Sequence, residues 1–421
     1  MYDYQERVLP NGVRILSEHI PAMSSATVGI WVGTGSRDEL ASQNGAAHYI
    51  EHMLFKGTTR YSAAEMAGRM DAIGGQINAF TTKECTCFYA RALNSHLREA
   101  LDILCGMFFE AKFAPKDVET ERGVILEEIG MYSDDPSDLV SERLAAAIYR
   151  GSPLARPILG KKSTLEHMDG DWLKAYKEEH YIPSRIVVSL AGSFEDELVE
   201  EIAQRFSAME EKTPFRTKPA AFRSGAVTLK KRPTEQNHLI LAFPSLTDTD
   251  PRRFVMQILS SVLGGGMSSR LFQDIREERG LCYNVYSYGT AYLDTGFFGI
   301  YTAVNREQEA AAAAAIREAV ERFTQEGITQ EELDRARELS KANVLMGMES
   351  GSAHMNHMAR AALRGEQPMT TDEIIEGYNS VTREQVRLLA EETFQWEKLS
   401  FSAVGRVGSE EEYRAALGMP G

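Results

Sequence analysis

Two histidines and a glutamate stand close together near the start of the chain. In the run from Gly45 to His52 the imidazoles of His48 and His52 are four residues apart, with the carboxylate of Glu51 between them. Residues at that spacing share one face of a helix and reach the same point in space, so His48 and His52 can hold a single metal ion. Glu51, three residues after His48, lies beside that face and can take a proton from a water there without ligating the metal. These are the groups of a hydrolytic zinc site. A catalytic zinc takes three protein ligands and keeps one position open, so a third donor must come from elsewhere.

The segment from Pro115 to Ile129 offers one. It reads as a helix, with a proline in its first turn and apolar residues at Val118, Ile125 and Ile129. Glu121 and Glu128 lie two turns apart on nearly the same face, so one could ligate while the other supports a ligand from behind. Glu127 points roughly a quarter-turn away.

An H-x-x-E-H run followed about seventy-five residues later by a glutamate resembles the pitrilysin-type, or inverzincin, metallopeptidases of family M16, and within them the bacterial relatives of the mitochondrial processing peptidase beta subunit. The resemblance implies one zinc per chain held by His48, His52 and Glu128, with Glu51 as the base and Glu121 behind the ligands. It also implies a substrate clamp in the segment Leu263–Tyr283, where Arg276 and Tyr283 stand at the family's spacing of arginine and tyrosine. A tyrosine hydroxyl can donate to an oxyanion and an arginine can hold a peptide carbonyl, so both would act when two halves close. Asn78, Ala79 and Phe80 resemble the family's edge strand, to which an extended peptide adds as a further strand. Glu84 is a weaker candidate for support of the metal. Members of this size class pair into a clamshell around a chamber, which implies a homodimer acting on unfolded peptides.

Positioning these groups requires a larger frame, and the chain carries one twice. Residues 181–192, ending in Gly192, align without gaps on 394–405, ending in Gly405, and 113–122 match 328–337, a repeat of about 213 residues. In that alignment Glu121 falls on Ala336, Glu128 on Asn343 and the H-x-x-E-H run near Gln257–Ser261, so the second copy has lost every metal-binding group. His354 and His357, without a partnered acid, read as helix surface or core. Two domains follow, 1–215 with the metal site and 216–421 with the clamp, joined by a linker over 209–225.

Within each copy, strands and helices mix without strict alternation. Asn11-Gly12 marks a hairpin turn, residues 26–32 read as a strand, and Ser62 with Glu65 caps a helix ending at Gly74-Gly75. Residues 76–93 read as a hairpin turning at Thr82-Lys83, with a long helix after it. The expected class is α+β, two duplicated halves, each a mostly antiparallel sheet with helices on one side.

Composition narrows the rest. Of 421 residues, 43% are hydrophobic and 25% charged, as in a folded globular protein, and a formal net charge of −15 disfavours nucleic acid as a partner. No apolar run of about eighteen residues and no basic-then-apolar start occurs, so neither membrane nor export is indicated and a cytoplasmic setting is expected. The four cysteines, Cys85, Cys87, Cys105 and Cys282, form no C-x-x-C pair and suggest plain thiols. Two other classes share this frame: a silent assembly subunit, and a peptide-binding module with a structural zinc. Retention of Glu51 argues against both, because neither needs a base.

Overall fold

A computed structural model describes residues 4–213, 215 and 217–419. Residues 214 and 216 of the expected linker lie outside the described residues, and no helix or strand forms among the others between 209 and 226. The chain divides into two compact units that do not follow a cut at 215/216. The first gathers the chain up to Ile129 with Arg156–Lys218 and Leu345–Thr371; the second holds Gly130–Ala155, Pro219–Val344 and the chain from Asp372. Each unit thus takes a helical segment from the other half of the sequence.

The first unit is built on six strands: β1 (Tyr4–Val8), β2 (Arg14–His19), β3 (Ser25–Val32), β4 (Gln76–Thr81), β5 (Thr86–Leu93) and β6 (Ile186–Gly192), in the order β1-β2-β6-β3-β5-β4. β1 and β2 form the hairpin marked by Asn11-Gly12, where Gly12 takes φ +94°, a conformation open to glycine. β2 and β6 are parallel, and every other neighbouring pair is antiparallel.

Helices α1 (Ala46–Leu54), α2 (Ala63–Ala72) and α3 (Leu97–Glu110) cover one face of this sheet through a core that includes Val28, Ile30, Phe88, Ile50 and Leu104. Ser62 and Glu65 exchange hydrogen bonds at the start of α2, as a capping box should. The expectation of helices on one side needs correction. β6 is buried at every residue, and the second face is closed by the helix Gly351–Leu363, which sets Met355, Met358 and Ala359 against Trp31, Cys87 and Val187. Met355 Sδ accepts from Trp31 Nε1 at 3.0 Å, and a Cβ added at Gly29 would come within 2.6 Å of that sulfur. A strand apolar on both faces cannot leave one in water.

The second unit repeats the plan. Strands β7 (Val227–Lys231), β8 (Asn237–Pro244), β9 (Asn284–Ala291), β10 (Gly296–Val304) and β11 (Ser400–Gly405) run in the order β7-β11-β8-β10-β9, with β7 and β11 parallel and the other pairs antiparallel. This is the order and sense of β2-β6-β3-β5-β4, so the internal duplication is visible strand by strand. After helix α4 (Pro115–Asp134), helix α5 (Pro136–Ile148) lays Val140, Leu144 and Ile148 on Ile240, Ala242 and Val404, and Ser402 Oγ donates to the Val140 carbonyl at 2.8 Å. Among the described residues no helix is long and apolar enough to cross a membrane.

Candidate metal centre

α1 carries His48 and His52 one turn apart, with ring centroids 4.6 Å from each other. α4 brings Glu128 to meet them: its Oε2 lies 3.6 Å from His48 Nε2 and 3.7 Å from His52 Nε2. Donors at a tetrahedral zinc, each about 2.1 Å from the ion, stand about 3.4 Å apart, so Glu128 Oε2 already lies near ligand spacing from both imidazoles. Among the described residues this is the one group of three metal-competent side chains. His48 Nδ1 is buried without a hydrogen-bond partner. Burial, and then the charge of His52, push the His48 pKa down to about 4, which keeps its imidazole in the neutral form that binds metals. The residues fit a zinc ion.

Glu51 sits beside this triangle on α1. Thr81 Oγ1, at the end of β4, donates to its carboxylate. Burial raises the Glu51 pKa and the nearby Glu128 adds to the rise, while Thr81 and His52 oppose it. A raised carboxylate value suits a group that must accept a proton and then return it.

Behind His52 stands Glu121, with 3% of its surface exposed. Its Oε2 is 3.1 Å from His52 Nδ1, and its Oε1 is 2.6 Å from Lys56 Nζ. A carboxylate on the far nitrogen of an imidazole fixes the ring and its tautomer, leaving Nε2 to face the metal. The geometry therefore separates the two glutamates that spacing alone left interchangeable. Sequence reasoning missed Lys56, and took Thr81 only as the end of the edge strand, without its bond to Glu51. Lys56 lies one turn beyond His52 and was visible as an i+4 neighbour; Thr81 had no local signal.

The other expected residues are placed as follows. Asn78, Ala79 and Phe80 lie on β4, which among the described residues pairs with β5 alone and so presents a free edge. Ala79 packs towards the helices, while Phe80 turns to the opposite face and meets Trp31 edge-on at 5.3 Å. Glu84 does not join the metal group; it pairs with Arg37, whose side chain is 3% exposed and needs a counter-charge there. Arg276 and Tyr283 belong to the second unit. Arg276 lies on a π-helix, Phe272–Glu278, with its guanidinium over the rings of Phe272 at 4.5 Å and Tyr283 at 5.2 Å. Tyr283 is 73% exposed. His354 and His357 sit on the helix Gly351–Leu363, bonded to Glu18 and to the Met369 carbonyl.

In the second unit, Gln257, Ser260, Ser261 and Asn343 line a cavity of about 440 Å³ with Tyr378. The repeat aligns Asn343 with Glu128 and sets the H-x-x-E-H run near Gln257–Ser261. Among the described residues the cavity's lining carries amides and hydroxyls and no histidine, aspartate or glutamate.

Comparison with known proteins places His48, His52 and Glu128 in a peptidase match and the residues of this cavity outside it, although the two matches meet inside the first unit. Residues 14–162 match the family described as Insulinase (Peptidase family M16), and residues 168–340 match the Peptidase M16 inactive domain. The uncharacterized zinc protease YmxG of Bacillus subtilis is 41% identical over 386 residues, covering 91% of this chain and 94% of its own. An uncharacterized zinc protease of Streptomyces coelicolor is 39% identical over 406 residues, covering 94% of this chain and 88% of its own. Among solved structures, a protease from Helicobacter pylori matches with a TM-score of 0.89 at 19% identity, over 96% of this chain and 100% of that one. A structure described as a peptidase M16 inactive domain from Pseudomonas fluorescens matches with a TM-score of 0.88 at 20% identity, over 97% and 98%. At such identities the last two speak for the fold alone. The fold and the two family matches define a two-unit chain of a class whose similar curated proteins are called zinc proteases. The chain belongs to peptidase family M16.

Proposed function

We propose that this protein is a zinc-dependent endopeptidase that hydrolyses unfolded peptides or presequence-like segments. The observation that carries the reading is the convergence of His48 Nε2, His52 Nε2 and Glu128 Oε2 beside a Glu51 carboxylate tied to β4. Zinc at that point would polarise a peptide carbonyl and lower the pKa of water. Glu51 would take the proton from the attacking water and pass it to the leaving amine. The free edge of β4 would hold the substrate backbone as an added strand, giving affinity with little sequence choice. Thr81, in the same strand, would keep Glu51 in register with that backbone. Water is the nucleophile, so no acyl-enzyme forms.

Arg276 and Tyr283 are proposed to hold the substrate carbonyl and share its developing charge. Their exposure and mutual stacking suit contact with a ligand, and the role itself rests on family resemblance. The active form is proposed to be a homodimer enclosing a chamber, acting in the cytoplasm. A silent scaffold subunit has no use for a half-buried base beside three convergent donors.

The test is cleavage of an unfolded basic peptide, followed by mass spectrometry, with the unaltered chain, Glu51→Gln and a chelator-treated sample. Cleavage lost in both controls while Glu51→Gln keeps its zinc supports the mechanism. Intact peptide with the zinc-loaded, unaltered protein would favour the scaffold reading.

A further inference from the structure

Helix α1 lacks an ordinary cap. Its N-cap is Gly45, at φ +102°, with no side chain to satisfy the first amides. A carboxylate six residues upstream does so instead. Glu39 Oε2 accepts from the Gly45 amide at 2.9 Å and from Asn44 Nδ2 at 2.9 Å, while Oε1 accepts from the Ala47 amide at 3.0 Å. Glu39 is 1% exposed. Burial pushes its carboxyl up to about 7, opposed by these same donors and by Arg156. Three donors aimed at both oxygens suit the ionised form at a helix N-terminus.

The surroundings hold the same junction from the other side. Asn44 Nδ2 also donates to the Pro157 carbonyl at 2.8 Å, and Thr164 Oγ1 to the Asn44 carbonyl at 2.6 Å. Gly45 and Gly160 cross backbone to backbone: a Cβ on Gly45 would lie 2.8 Å from the Leu159 oxygen, and one on Gly160 2.4 Å from the Asn44 oxygen. Arg156 donates to the Glu39 carbonyl, and Lys83, in the turn between β4 and β5, donates to the Arg156 carbonyl. One chain of contacts therefore joins the hairpin that holds Thr81 to the first turn of the helix that carries His48, Glu51 and His52.

We infer that Glu39 is a positioning residue of the metal centre, acting through the amides of Gly45 and Ala47 to set the height and rotation of α1 against Glu128 and Thr81. Two amides fixed by the two oxygens of one carboxylate leave the helix neither free to slide along its axis nor to turn about it. His48 follows Ala47 directly, and each residue of slippage moves it by about 1.5 Å and 100°. A ligand triangle with separations of 3.6 and 3.7 Å cannot absorb that. The inference rests on the zinc reading.

The experiment measures zinc affinity by chelator competition in the full-length chain, for the unaltered protein, Glu39→Gln and Gly160→Ala, with Glu309→Gln as a control. Glu39→Gln keeps shape and one acceptor oxygen; Gly160→Ala presses the same junction from the facing loop. Glu309 is equally buried, in the other unit, and bonds Tyr413 and Arg306. Both test variants should bind zinc about 10- to 100-fold more weakly, the range for a group supporting the ligands from behind. In each, kcat should fall while KM holds. Glu309→Gln should lose thermal stability and keep its zinc affinity. Unaltered zinc affinity in a folded Glu39→Gln would make Glu39 a cap for stability only and overturn the inference. Weakening by Glu309→Gln to the same degree would also overturn it, as a general effect of lost stability. Failure of the unaltered protein to bind zinc would overturn the zinc reading, and this inference with it.

Discussion

His52 and Glu121 are joined at 3.1 Å through the ring nitrogen that does not face the ligand triangle, and the far oxygen of Glu121 is held at 2.6 Å by Lys56. The three residues form a line that ends at the candidate ligand triangle. Glu121→Gln keeps the shape but weakens the hold on the imidazole, and should loosen zinc about 10- to 100-fold. Lys56→Met leaves Glu121 buried without its cation and should have a smaller effect in the same direction, which Lys56→Arg should restore. Competition against a chromophoric chelator reads all three.

Glu51→Gln should separate binding from turnover. The substitution removes the base and leaves His48, His52 and Glu128 in place, so zinc content should stay at the unaltered level while peptide cleavage falls by about 10² or more. Metal analysis beside a peptide digest checks both. Equal loss of zinc and cleavage would make Glu51 a ligand instead.

Tyr283→Phe removes one hydroxyl from an exposed ring and should cost nothing in folding. If the hydroxyl donates to the developing oxyanion, kcat should fall by about 10² while zinc affinity and melting temperature hold. Steady-state kinetics with unaltered constants would leave Tyr283 without a part in the reaction.

The buried pair of Glu18 and His354, bonded at 2.8 Å, gives a dependence on pH. Burial lowers the His354 pKa, but the Glu18 carboxylate and the Met348 carbonyl outweigh it and the net shift is upward. A histidine with a raised folded value lends stability that is complete below its ordinary value of 6.5 and fades as pH rises through the folded one. His354→Gln should therefore lower the melting temperature more at pH 6 than at pH 8.5, by a difference worth about 1 kcal/mol. Thermal melts at the two pH values check the sign.

Met355 is the plug of the second face of the first sheet, 1% exposed and in contact with Gly29 and Trp31. Met355→Ala should cost about 2–5 kcal/mol, read by denaturant titration.

The centre was legible in the sequence to the extent that its contacts are local. His48, Glu51 and His52 stand on one short helix, and Glu128 belongs to a second helix whose apolar spacing marks its face. The division of labour between Glu121 and Glu128 needed coordinates, because two turns of helix place both on one side. Thr81 and Lys83 find their partners 30 and 73 residues away, which no periodicity announces, and Glu39 reaches the start of α1 across an irregular loop that carries no helical spacing. The helix Gly351–Leu363 was equally opaque. Its amphipathic pattern says that it covers something, and only the folded chain shows that it covers β3 and β6, not the sheet of its own half. The parallel pairing of β2 with β6 has the same cause: two strands far apart in sequence carry no local mark of being neighbours.

The exchange of helical segments between the two sequence halves bears on how the chain is born. Synthesis runs from the N-terminus, so β1 to β6 and their inner helices leave the ribosome long before the segment that seals the sheet's other side. Until residues 351–363 emerge, Trp31, Cys87 and Val187 face water, and the nascent first unit waits with an open apolar surface. The order of translation thus completes the N-terminal unit late despite its early arrival. A chain stopped after β6 but before that helix would carry His48, His52 and Glu128 and still lack a finished sheet to mount them on.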